Sequence, residues 1–161
     1  MKGLKGILLP EKTVTIEYPG LEGLEFDLTF LSKEEISRIM KKCTHRRVDP
    51  KTRQMVEEVN DDLFLRTYIS AIVKNWRGFK YKYLDEFTIW DANEVDDVEE
   101  EIEFDIEDAI YLTKVSPQFD QWISAQIEDL GNFTAQTSEK SSKRSKSTSS
   151  NPKVTSMSQN T

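Results

Sequence analysis

Cysteine and histidine each occur once in this 161-residue chain, at Cys43 and His45. A lone thiol rules out an intramolecular disulfide and points to a reducing compartment. Nucleophilic and general acid–base sites need groups of tunable protonation. Cys43 and His45 stand close together at an expected helix end, and no third partner for them is visible. The phosphate-binding loops GxGxxG and Walker A and the nucleophile motif GxSxG are missing. No apolar run approaches a membrane span, and the opening MKGLKGILLPEK is too short in apolar residues for a signal peptide. The expectation is a non-enzymatic, intracellular protein with no cofactor and no membrane partner.

Apolar residues are also missing from one end. Residues 134–161 are mostly Ser, Thr, Lys, Asn and Gln, with Val154 and Met157 as the sizeable exceptions. Ordering each backbone residue costs about 1–2 kcal/mol, with little apolar surface there to offset it, so composition predicts a disordered Ser/Lys-rich tail. The folded domain is then 1–133, long enough for one core. Charge divides at the same place. The chain has 22 basic and 29 acidic residues, the tail five (Lys140, Lys143, Arg144, Lys146, Lys153) and one (Glu139), which leaves the body at 17 − 28 = −11.

That balance decides how to read KNWRGFKYKYL, Lys74–Leu84. Basic residues among aromatic ones are what single-strand nucleic-acid sites use, but a body this acidic repels phosphate at long range. No nucleic-acid partner is expected. Alternation at Phe79, Tyr81 and Tyr83 instead predicts an extended segment with Lys80 and Lys82 facing water, or a protein-binding strip, since Trp and Tyr favour interface centres.

Alternation at Thr13–Ile16 and Phe26–Phe30, separated by Pro19-Gly20 and Gly23, predicts an antiparallel hairpin over about 12–18 and 24–31. Ser32 and Glu35 form a capping-box pattern before a helix over 33–43, with Ile36, Ile39 and Met40 as its apolar stripe. Residues 44–59, with Asp49-Pro50-Lys51 as turn chemistry, read as a small hairpin or a basic loop. Asn60 caps a helix over 61–76 that Gly78 would stop. Asp105 caps another over 106–115. Ser116 and Pro117 open a last one over 117–130, striped by Phe119, Trp122, Ile123, Ile127 and Leu130 and ended by Gly131. The class is α+β: an N-terminal β-hairpin, a mainly helical body and the tail.

The acidic run Asp91–Asp108 invites a calcium reading. Set on the EF-hand pattern from Asp91, the glycine position holds Asp96 and the bidentate glutamate position Ile102, so no metal site is expected. A solvated loop, or an acidic docking surface, is the remaining reading.

The order YPGLEG, FLSKEEI, KKCT, KTRQ, NDDLFLRTYISAIVKNWRGFKYKYL, an acidic spacer and FDQWISAQIEDLGNF resembles the tail assembly chaperones of long-tailed, siphovirus-type bacteriophages, over about Tyr18–Phe133. The resemblance implies a chaperone that binds the tape measure protein, a long helical chain, in the host cytoplasm. It would keep that chain soluble until the tail tube polymerises around it. It also implies a longer product, made by a one-base ribosomal slip, whose added domain engages the tail tube protein. Asn151-Pro152-Lys153 permits a slippery codon set (AAC CCA AAG). The large aromatics near the ends of the last helices, Trp76, Phe79, Tyr81, Phe119 and Trp122, are the expected partner-binding residues. Two other classes remain open: a structural head or tail component kept in the virion, and an acidic DNA mimic that inhibits a host protein.

Overall fold

A computed structural model describes residues 3–134; the expected tail, 134–161, lies outside them except for Thr134. Strands β1 (Glu11–Glu17) and β2 (Glu25–Leu31) form the expected antiparallel hairpin, in register from Glu11 opposite Leu31 to Glu17 opposite Glu25. Val14, Phe26, Leu28 and Leu31 turn into the core. Thr13 and Thr29 share a 2.7 Å hydrogen bond between their hydroxyls. Helix α1 (Lys33–Cys43) begins where expected, with the Ser32 hydroxyl accepting from the Glu35 N–H at 3.2 Å. The reciprocal half of the capping box does not form, because the Ser32 N–H donates to the Pro10 carbonyl and the Glu35 carboxylate pairs with Arg38. Ile36 and Ile39 pack on the core, whereas Met40 is exposed.

Residues 44–59 resolve as a hairpin rather than a loop: β3 (Thr44–Val48) pairs with β4 (Met55–Val59) in a separate two-stranded sheet. Asn60 then caps α2 (Asp61–Ile72), its Oδ1 accepting from the Leu63 N–H at 3.0 Å. This helix stops four residues short of the expected end at Trp76. Val73–Arg77 is instead β5, the third strand of the first sheet, with Trp76 opposite Phe26 and Val73 opposite Leu28. The helical periodicity was overridden by tertiary pairing, which β-branched Val73 and aromatic Trp76 suit. Gly78 is not a helix stop. It closes β5 at φ +70°, and a Cβ there would lie 2.1 Å from the Gly23 carbonyl oxygen, so the end of β5 meets the turn between β1 and β2 where only glycine fits.

The expected extended strip is also corrected. Tyr81–Glu86 is a 3₁₀ turn; Phe79 is buried, and Tyr81 and Tyr83 are half-buried. Helix α3 (Ile106–Val115) matches its expected bounds, and Asp105 caps it by accepting from the Glu107 N–H at 2.8 Å. Helix α4 (Pro117–Glu128) begins at the Ser116 cap but ends before Leu130, which is exposed in a following 3₁₀ turn, Leu130–Phe133. Gly131 lies inside that turn, where its N–H donates to Asp129 Oδ1. The helices pack on the sheet face carrying Phe26 and Leu28, around an aromatic cluster of Tyr18, Phe26, Trp76, Phe79, Phe87 and Phe119.

Candidate functional site

The five aromatics expected to bind a partner separate into two groups. Phe119 is 0% exposed, held edge-on to Phe87 and 5.7 Å from Phe26. Trp122 is partly buried against Tyr18 and Phe26, and Tyr81 is half-buried in its turn. Phe119 and Trp122 meet on Phe26 within the core, and Trp76 and Phe79 pack on the same ring from 6.3 and 6.1 Å. Trp76 and Phe79 stand 5.0 Å apart, mostly buried, and their remaining surface forms the floor of a cleft of about 390 Å³. The aromatic surplus is thus largely the core's own material.

The cleft is built from three directions. β5 and the residue after Gly78 supply Trp76 and Phe79, the segment 84–90 supplies Leu84, Ile89 and Trp90, and α3 supplies Tyr111, Leu112 and Val115. Ile102 completes the floor, its carbonyl accepting from Trp76 Nε1 at 2.8 Å. Burial of the indole is therefore not at the cost of an orphaned N–H. Trp90 is fixed by a 2.7 Å bond from Nε1 to Asp85 Oδ1. The rim is open and apolar: Ile89 is 99% exposed and Tyr111 66%. One carboxylate, Asp108, lies on this wall, and the partial burial beside apolar side chains, with Asp105 nearby, raises its pKa.

Sequence reading missed Ile89, Trp90 and Tyr111. The available sign was on α3, where Ala109, Ile110, Leu112 and Thr113 face inward and leave Tyr111 and Val115, four residues apart, as an apolar pair on the other side.

The acidic run is only partly a free, solvated loop. Glu99 accepts from both Lys80 Nζ at 3.1 Å and Lys82 Nζ at 2.6 Å, and these bonds hold its carboxyl below the usual range. The Tyr81 N–H donates to the Glu100 carbonyl and the Ile102 N–H to that of Phe79. The lysines expected to face water thus fasten the acidic run to the strip that follows Gly78. Cys43 is buried while His45 is exposed beside Glu58, so the two side chains point apart. Among the described residues no cluster of three or more His, Cys, Asp or Glu is placed to hold a metal ion, and no helix is long and apolar enough to cross a membrane.

No family model, curated protein or solved structure matches this chain.

Proposed function

We propose that the chain is a tail assembly chaperone of a long-tailed bacteriophage, binding the tape measure protein and keeping it soluble in the host cytoplasm. The observation that carries the reading is the open apolar cleft between segment 84–90 and α3, on a body of net charge −11. A helical chain awaiting its tube exposes apolar stripes, and such stripes are covered by laying them into an apolar groove. The cleft is within the size range of ligand pockets, about 300–1,000 Å³, and takes the side chains of a helical turn rather than a whole helix. Ile89, Trp90 and Tyr111 are the rim contacts, with Trp76 and Phe79 beneath them. Strong net charge keeps the loaded complex dispersed. The function is binding and not catalysis, and the resemblance adds the tail tube protein as a second partner, through a frameshifted longer product.

Acids spent internally weigh against the DNA-mimic alternative. Glu99 is engaged by two lysines and Glu107 by Arg66 in a bidentate pair at 2.5 and 2.8 Å, so neither is free to stand in for a phosphate. The test is co-expression with the gene for the longest helical protein nearby. The tape measure protein should move from the pellet to the soluble fraction with the wild-type chain and co-purify with it. A tape measure protein that stays insoluble beside a well-folded chain would remove the proposal, and recovery of the chain in purified virions would favour the structural-component reading.

A further inference from the structure

We propose that the N-terminal arm, Gly3–Pro10, inserts into the cleft of a second copy of this chain. Leu4, Ile7, Leu8 and Leu9 are 58–69% exposed, four large apolar side chains in one short segment. Surface apolar residues scattered singly are ordinary, but a run of this kind marks an association site. The arm ends in a 3₁₀ turn at Leu4–Gly6 and is anchored where it meets the fold, by the Ser32 N–H donating to the Pro10 carbonyl.

The occupant and the cleft are matched in charge as well as in apolar character. Within Gly3–Pro10 the one charged residue is Lys5. The one carboxylate on the cleft wall is Asp108, which has no cation paired with it among the described residues. Lys5 carried in beside Leu4 and Ile7 would meet it.

Reach selects the second copy over the same chain. The arm joins β1 at Glu11, opposite Leu31, while the cleft floor at Trp76 lies opposite Phe26 on the far edge strand. That is roughly 17 Å along the strands and about 10 Å across two strand spacings, so about 20 Å in all. Crossing it extended would use about six residues at 3.3 Å each, most of an arm running from Gly3 to Pro10. Too few apolar side chains would be left to insert. A neighbouring molecule has no such constraint, and the contact closes as a reciprocal exchange or continues head to tail. Any helical partner then competes with the arm for the same cleft. The self-association itself does not depend on the chaperone reading, and its assay contains no partner.

Sedimentation velocity on the full chain tests it, with two variants: Ile7→Asp/Leu8→Asp in the arm and Ile89→Asp in the cleft. All three positions are well exposed, so folding is preserved and is checked by melting. Wild type should show concentration-dependent association, and each variant should be monomeric where wild type is associated, with self-affinity down at least about tenfold. Mixing the two variants should restore a two-chain species, since one retains its arm and the other its cleft. A wild-type chain that is monomeric throughout, association that survives either variant, or a mixture that stays monomeric would overturn the proposal. So would an Ile7→Cys/Ile89→Cys pair, in a Cys43→Ser background, that cross-links only within one chain.

Discussion

A side chain's surroundings, more than its type, decide what each aromatic here does. Phe119 looks like a contact residue in a list of aromatics and is the centre of the core in space, against Phe26 and Phe87. Phe119→Ala should cost about 3–5 kcal/mol of stability, measured by denaturant unfolding. Tyr111→Ala should leave stability within about 0.5 kcal/mol, as exposed sites away from special features do. If Phe119→Ala instead leaves the unfolding midpoint unmoved, the packing described is wrong. Gly78→Ala tests the backbone rather than a side chain. A left-handed φ costs a residue with a Cβ about 1–2 kcal/mol, and the 2.1 Å approach to the Gly23 carbonyl forces the end of β5 and the β1–β2 turn apart as well. A loss clearly above 2 kcal/mol is expected from that combination, and a loss below 1 kcal/mol would mean the two are not held in contact.

The elements written in local chemistry were legible in the sequence, and those written in tertiary pairing were not. The caps at Ser32, Asn60, Asp105 and Ser116 each act within three residues, and each helix start follows from them. Helix α2 ends at Ile72 for a remote reason: Val73–Arg77 finds an open edge on β2. The strip after Gly78 fails as a strand because Phe79 is drawn into the core and its backbone is met by the acidic run. The cleft, assembled from β5, segment 84–90 and α3, was therefore readable only in its floor residues Trp76 and Phe79. The β2–β5 junction also gives a pH dependence. Hydrogen bonds from Arg77, at 2.8 and 2.9 Å, hold the Asp27 carboxyl below its usual range, against an opposing contribution from burial, and the Thr15 hydroxyl assists. A lowered folded-state pKa contributes stability above the unfolded value, near 3.9, that is lost as pH falls through the folded one. Melting temperature should thus fall below about pH 4, and part of that fall should vanish in Asp27→Asn. An unchanged acid limb in that variant would assign the loss to other carboxylates.

At the scale of the whole molecule, the fold is closed by Phe133, buried 5.6 Å from Phe30, one residue before the described chain ends. Truncation after Thr134 should move the melting temperature by less than the several degrees that about 1 kcal/mol would produce. Truncation before Leu130 should cost about 3–5 kcal/mol, because it removes Phe133 from the core. A marked drop on the shorter truncation would mean that residues beyond Thr134 support the fold. What remains is an acidic body with an open apolar cleft, and the proposed use of that cleft is tested most directly by a binding isotherm. A soluble amphipathic segment of the tape measure protein is titrated into the full-length wild-type chain and into Ile89→Asp, with melting curves recorded on both. Saturable binding to wild type is predicted, weakened at least about tenfold, or 1.4 kcal/mol, in a variant that melts as wild type does; equal affinities, or no binding to wild type by any helical segment, would contradict it.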